Sequence, residues 1–318
     1  MTLLPLGLAA CGKAEEDEFR AGVPVHEAVA ITVPGASSNN GSLTIEERSS
    51  ALQGTLDDLY VATRNISVMV NTGTLAVLGL VHAIVAYPPT TVAKDQAVWG
   101  PHTDALSPNT WKLTVTRTAP REYDYVLQGK AKTAADTAFV TVLSGHHVIP
   151  TSGLRREGYG SGHFSLDWNA AATLPEHDKN VGQLAITYAH DDDQADVSVD
   201  AVFTQVKDDA TNMLTDATYH YKATPQDGGE FSWNQQKDYI ATTAALETLT
   251  IHSRWQQTGA GRADVKLTGG DLSAQEATVS QCWDTNFLSI YRVASYEPGS
   301  NYGSEAVCAF SPAVFATL

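Results

Sequence analysis

The sequence predicts an α+β protein: a large antiparallel, strongly curved β-sheet, half-barrel-like, packed on one long N-terminal apolar helix. Three observations predict it. Residues 65–93 carry no formal charge, and Pro88-Pro89 ends any helix there because neither residue has an N–H to donate. From residue 99 onward, short segments alternate apolar and polar side chains, with Gly, Asp and Asn turns between them at spacings of roughly 10–20 residues. There is no βαβ rhythm and no repeat of fixed period, so neither a parallel sheet nor a propeller is expected. An antiparallel sheet with one apolar face needs a cover, and the apolar stretch supplies it.

The N-terminus comes first. Leu3 to Ala10 is a short apolar run, and Leu8-Ala9-Ala10-Cys11 ends it. This resembles a bacterial lipobox: an aliphatic residue, two small residues, then the cysteine that is acylated. Residues 1–11 then read as a lipoprotein signal peptide, with Cys11 the lipidation site and the new N-terminus. The acyl chains on it anchor the protein to a membrane better than one chain would. No Lys or Arg precedes Leu3, which departs from the basic start such signals have. Residues 12–42 contain Glu15-Glu16-Asp17-Glu18, Pro24, Pro34 and the run GASSNNGS, and read as a flexible acidic and Gly/Ser tether. Gly12 follows Cys11 where an Asp does not; the resemblance to enterobacterial lipoproteins implies an outer-membrane address.

The remaining 43–318 reads as a single helix-plus-antiparallel-sheet domain. Ser42 or Thr44 is the expected N-cap, with Glu46 and Glu47 in the first turn. Leu52, Leu56, Leu59, Tyr60 and Ile66 recur at helical spacing, and from Ile66 to Tyr87 the pattern is apolar nearly all round. That stretch is long enough to span a bilayer. Asn71, Thr72, Thr74, Ser67 and His82 are costly in lipid, so a core helix over 45–87, covered on several faces and broken near Gly73, is the expectation. A charge at Val77 or Leu80 would then destroy folding. Strands are expected over 111–117, 123–127, 138–143, 162–168, 182–190, 195–206, 217–223, 229–233, 248–255, 261–268, 277–283 and 287–295.

Charge bounds the partners. The chain of 318 residues has 36 acidic and 20 basic side chains, a formal net charge of −16. That argues against nucleic acid, which needs clustered Lys and Arg, and against electrostatic docking on an anionic leaflet. Apart from Cys11, the cysteines are Cys282 and Cys308, an even pair that reads as a disulfide in an exported chain. It would close a loop of about 27 residues and stabilise by roughly 3 kcal/mol. Two free thiols or two metal ligands are the alternatives.

Candidate chemistry is sparse. His146-His147 are adjacent, so on a strand they face opposite ways and cannot share an ion. Asp191, Asp192, Asp193 and Asp196 form the densest oxygen cluster, the donor type calcium takes, but the EF-hand pattern is absent and a solvated hairpin turn is the competing reading. Gly158-Tyr159-Gly160-Ser161-Gly162-His163 is neither a nucleophile elbow nor a dinucleotide loop, and reads as a loop or bulge beside Arg155, Arg156 and Glu157. Asp167 and Asp284 could pair for glycoside chemistry, and Trp99, Trp111, Trp168, Trp233, Trp255 and Trp283 could form a sugar platform, though single aromatics on separate strands more often fill a core. No cofactor motif is found.

The layout of lipobox, helix and long meander resembles the Lol-type lipoprotein carriers and their mycobacterial relatives, half-barrels that carry acyl chains. The resemblance shares no specific motif, so it implies no binding residue. The stretch from Trp99 to Trp111 is similar to uncharacterised envelope lipoproteins of δ-proteobacteria or myxobacteria, which implies no activity. The function expected is non-catalytic: a lipid-anchored envelope protein with a binding or structural role, holding a hydrophobic small molecule or acyl chain between helix and sheet. The alternative is an envelope hydrolase of glycan or ester substrates using Asp167 or Ser161.

Overall fold

The structure is a computed structural model that describes residues 16–35, 52–151, 159–176, 180–207, 213–240 and 242–317. Its fourteen strands are β1 (Thr91–Ala93), β2 (Gln96–His102), β3 (Asn109–Ala119), β4 (Glu122–Ala131), β5 (Val140–Val148), β6 (Gly160–Asp167) and β7 (Gln183–His190), then β8 (Val197–Lys207), β9 (Leu214–Thr224), β10 (Gly228–Lys237), β11 (Glu247–Gln256), β12 (Gly261–Gly269), β13 (Glu276–Trp283) and β14 (Ser289–Ala294). They form one antiparallel sheet in sequence order, and it is not closed. Residues 16–20 are helical, and the further helices are α1 (His26–Val29), α2 (Asp58–Val85) and α3 (Trp168–Ala171). The expected α+β class holds, and each expected strand lies in an observed one, give or take its ends; β1 and the start of β2 were not foreseen. The chain divides into two compact units, one of residues 1–29, 73–193 and 204–214, the other of 30–72, 194–203 and 215–318.

In the first unit, period-2 alternation sets the buried face. Leu113 and Val115 (β3), Tyr123, Tyr125 and Leu127 (β4), Leu143 (β5), Phe164 and Leu166 (β6), and Leu184, Ile186 and Tyr188 (β7) are all at most 2% exposed. The segment expected as a tether packs here. Phe19 meets Tyr123 edge-on with ring centroids 6.0 Å apart. Glu18 accepts from the Tyr123 hydroxyl at 2.6 Å and from Arg117 Nη2 at 3.0 Å. Gly22 is needed at this contact, because a Cβ there would lie 2.6 Å from Tyr123 Cγ. Phe19, Val23, Ala28 and Val29 are buried. The tether reading is therefore corrected for residues 16–35: its apolar residues are few but spaced to be buried, and the turn formers between them bend the chain without freeing it.

In the second unit, aromatic side chains do the same work. Tyr219 and Phe231 lie 5.1 Å apart between centroids, Phe231 and Trp255 6.1 Å, and Tyr221 and Trp255 6.3 Å. The start of α2 belongs to this unit. Asp57 is its N-cap: Oδ1 accepts from the backbone N–H of Leu59 and of Tyr60, both at 2.9 Å. Residues 52–57 are turn and bridge, with Gly54 at φ 81° and Leu56 paired with Leu288. The expected helix start near Thr44 lies outside the described residues, and the helical reading of 52–57 is wrong, because the Asp57 cap starts the helix later. Tyr60 stacks on Phe287 at 4.3 Å and its hydroxyl donates to Pro34 O at 2.9 Å. Ile31 and Val33 are buried too, and both backbone groups of Ile31 are bonded at 2.9 Å by the Asn71 amide.

The helix differs from expectation in two ways. It runs unbroken through Gly73. It is also covered along one stripe rather than all round: Tyr60, Thr63, Ser67, Val70, Thr74, Leu78, Val81 and Val85 are buried at three- and four-residue steps. Val68 and Met69 are 38% and 49% exposed, and Val77, Leu80 and Ile84 are half-buried. Only 31% of the most apolar 18-residue window is buried, although by length and composition α2 could cross a membrane. The stripe carries hydroxyls among its apolar side chains. Thr63 Oγ1 lies 2.7 Å from Ser253 Oγ, and Ser67 Oγ lies 3.5 Å from the Tyr219 hydroxyl. Hydroxyls inside the stripe have partners, so they cost little to bury.

The stripe relocates the sensitive positions from Val77 and Leu80 to Leu78 and Val81. Leu78→Ala is expected to cost about 2–5 kcal/mol in urea unfolding. Met69→Lys, at equal or greater chemical change, is expected to stay within about 0.5 kcal/mol of wild type. Equal losses at the two positions would contradict the one-stripe packing.

Candidate functional site

The C-terminal end of α2 forms a cleft with the segment before α1. Val25, Val85 and Ala86 give it apolar walls, Arg20 and His82 give it polar ones, and its volume is about 330 Å³. Each polar wall is held in place. His82 Nε2 lies 3.1 Å from Pro24 O, a carbonyl that can only accept, so Nε2 carries the proton and Nδ1 is the acceptor of the neutral ring. Arg20 donates from Nη1 to Asp17 at 3.2 Å and from Nη2 to Tyr87 O at 3.3 Å. Its Nε is shielded from solvent and makes no hydrogen bond. Tyr87 O also accepts from Trp99 Nε1 at 2.9 Å, which ties the end of α2 to β2. The helix ends at Val85, just before Pro88-Pro89 as expected. A small apolar cleft with one held guanidinium suits a hydrophobic molecule that carries a hydrogen-bond acceptor.

The residues singled out from sequence fall elsewhere. Cys11 lies outside the described residues, as do Arg155, Arg156 and Glu157. Cys282 and Cys308 form the expected disulfide, with Cα atoms 5.6 Å apart. Asp191, Asp192, Asp193 and Asp196 lie in the connection between β7 and β8. Among the described residues, no group of three or more His, Cys, Asp or Glu is placed to hold a metal ion. Asp167 caps α3 by accepting from Ala170 N at 2.9 Å, and Asp284 accepts from the backbone N–H of Asn286 and Leu288 at 2.8 and 3.0 Å. Both carboxylates are thus engaged in local backbone bonds. None of the six tryptophans is exposed: Trp99, Trp233, Trp255 and Trp283 are at most 5% exposed, and Trp111 and Trp168 are half-buried.

The Gly-rich run is a correction. β6 begins at Gly160, two residues before the strand expected from residue 162, and so takes in residues 160–161 of the run expected as a loop or bulge. Gly160 has φ 147°, and a Cβ on it would sit 2.2 Å from Val148 O; one on Gly162 would sit 2.1 Å from His146 O. The glycines let β5 and β6 approach closely. His146 and His147 do face opposite ways. His147 is fully buried, its Nδ1 2.7 Å from the Tyr188 hydroxyl. His146 is half-buried on the outer face, its Nδ1 2.7 Å from Asp124 Oδ1. Across the strand pair from His146 stands His163, which nothing in the local sequence marks as its partner.

Buried charges elsewhere serve the fold. Arg262 and Asp264 are fully buried and paired at 2.8 Å. Arg262 also donates to Glu305 at 2.6 Å and to Phe310 O at 3.0 Å, and Asp264 accepts from Val314 N at 2.9 Å. The pair therefore fixes the C-terminal tail next to the disulfide. Glu247 accepts from the backbone N–H of Tyr239, Ile240 and Asp271, and these bonds, Asp271's foremost, hold its carboxyl below the usual range. No family model matches the chain, and no curated protein or solved structure matches it either.

Two buried groups titrate against each other. Burial pushes His147 down to about 4, with His146 adding to it and a bond to the Tyr159 backbone opposing. Burial pushes Asp57 up to about 6 against its bonds to Ser289, Tyr60 and Leu59. The stability His147 contributes is complete above its unfolded value near 6.5 and is lost as pH falls towards 4, about 3 kcal/mol in all. The stability Asp57 contributes runs the other way: it is complete below its unfolded value near 3.8 and is lost as pH rises through about 6. Between pH 4 and 6 the two offset. Relative to wild type, Asp57→Asn should therefore lose stability on acidification from pH 6 to 4, and His147→Gln should gain it, each by up to about 1.4 kcal/mol per pH unit in urea melts. Parallel pH profiles for all three proteins would contradict the assignment.

Proposed function

We propose that this chain is a non-catalytic, lipid-anchored protein of the bacterial cell envelope, attached through Cys11 to the outer membrane, that holds a hydrophobic ligand such as an acyl chain. The observation that carries the reading is the apolar surface α2 leaves uncovered. A helix with no charge between Arg64 and Lys94 spends hydroxyls on its buried stripe and keeps Val68 and Met69 outside it. Exposed apolar surface of this kind on a chain of net charge −16 is costly unless something apolar meets it. The cleft of Arg20, Val25, His82, Val85 and Ala86 is the place where such a ligand finds both walls and a hydrogen-bond donor. The acidic net charge supports a partner other than nucleic acid.

Mass spectrometry tests both parts, on wild type extracted from its native membrane and on Cys11→Ser purified from the soluble fraction of the same cells. Under denaturing conditions the expected result is a covalent acyl mass that is absent from Cys11→Ser. Under native conditions the expected result is a further, non-covalent lipid mass on Cys11→Ser, lost when Ala86→Trp fills the cleft. An unmodified wild-type mass contradicts the anchor. A non-covalent lipid retained by Ala86→Trp, or none on either protein, contradicts the ligand site.

A further inference from the structure

Two motifs that the proposed function leaves unused meet on the outer face of the sheet. The β5–β6 register sets His146 directly opposite His163, and the β4–β5 register sets Asp124 directly opposite His146. All three lie on the face away from Tyr125, His147 and Phe164, since side chains alternate along a strand. The two imidazole rings are 5.8 Å apart between centroids and 21° from parallel. Asp124 Oδ1, which accepts, is 2.7 Å from His146 Nδ1, so Nδ1 carries the proton and Nε2 keeps the lone pair. A metal-binding histidine needs this state, with its second nitrogen held by a carboxylate.

We propose that His146 and His163 bind one divalent transition-metal ion of the class that prefers imidazole, copper above zinc, with Asp124 orienting His146 behind the first ligand. The spacing fits. From a metal–nitrogen bond of about 2.1 Å and a ring radius of roughly 1.1 Å, two imidazoles on one tetrahedral ion have centroids about 5.2 Å apart. The observed 5.8 Å is within reach of a side-chain rotation of the exposed His163, which leaves the His146–Asp124 bond in place. The site has two protein nitrogens, and waters fill the other positions, so the ion is exchangeable rather than structural. Imidazole ligands without thiolate select copper, nickel and zinc over calcium and magnesium, and the order of affinity follows the Irving–Williams series. The directly paired positions on either side are neutral, Ser144 facing Ser165 and Thr187 facing His163, and Glu122 stands two residues before Asp124 on the same face. The tight strand approach at Gly160 and Gly162 fixes the register that makes the pair.

The test is titration calorimetry of the untagged full chain with copper(II) and zinc(II) chloride. A Cys11→Ser background keeps a free thiol from competing. One saturable copper site is expected, tighter than the zinc one. His146→Ala and His163→Ala should each weaken copper binding at least about 10-fold, and Asp124→Asn about 10-fold with both imidazoles present. His220→Ala, whose ring is bonded to Asp200 on β8, should leave it unchanged. Copper should also raise the melting temperature of the parent protein and not that of His163→Ala, while the metal-free melting temperatures of the two agree. Wild-type copper affinity in His163→Ala overturns the proposal. So does an equal loss in His220→Ala, which would mean copper spread over surface histidines, or no saturable binding.

Discussion

A sheet with one apolar face has to bury it, and the cover in this chain is a stripe one side chain wide. Along α2, buried positions recur at three- and four-residue steps from Tyr60 to Val85, and among the described side chains no second stripe is buried with them. Within that stripe, threonine and serine hydroxyls reach Ser253 and Tyr219 on the strands. Those bonds let the hydroxyls of a mainly apolar stripe sit against strands that carry their own polar tips, Ser253 and the Tyr219 hydroxyl. The consequence is a mixed stripe: Thr63 and Ser67 face inward beside Val70, Leu78, Val81 and Val85, while Val68 and Met69 face outward.

The rest of the cover comes from chain that looks too polar to be core. In residues 16–35 a few apolar side chains, from Phe19 to Val33, are buried among acids, prolines and glycines. Asn71 shows how α2 and this segment depend on each other: its amide bonds both the N–H and the C=O of Ile31, as a neighbouring strand would. In lipid that amide would be a liability; here it satisfies two backbone groups at once. At the other end of the chain, the described residues after β14 pair with the sheet edge through a single bridge, Tyr302 to Arg292. The Cys282–Cys308 disulfide and the buried Arg262–Asp264 pair hold them. A fully buried ion pair is a weak source of stability by itself, but with Glu305, Phe310 O and Val314 N as further partners neither charge is left uncompensated.

The strands were legible because alternation is local: Trp111 to Arg117 or Gln183 to His190 declares its two faces without reference to anything else. The stop at Pro88-Pro89 was legible for the same reason. The start of α2 at Asp57 was not, because the leucine spacing runs through 52–59 without a break, and the turn at Gly54 interrupts it. The burial of α2 was misread because a helix apolar all round does not say which stripe its sheet will take. Sites suffered most. His146-His147 drew attention as neighbours in sequence, yet the partner that matters for His146 is His163, seventeen positions on. That pairing is set by strand register, and register depends on close approach at two glycines and on the whole β5–β6 ladder. The Arg20 and His82 cleft was invisible for a similar reason, since it joins a segment read as tether to the end of a helix.

The central claim is that one face of α2 is packed and another is open, and cysteine accessibility measures it directly. Single cysteines placed at Val70 and Leu78, and separately at Met69, in the Cys11→Ser chain would be exposed to a thiol reagent under native conditions. The account predicts that Met69→Cys reacts at nearly the rate of an unfolded peptide, while Val70→Cys and Leu78→Cys react only through unfolding. Protection of Met69→Cys as deep as that of Leu78→Cys would mean that α2 is enclosed on all sides, and would contradict the account.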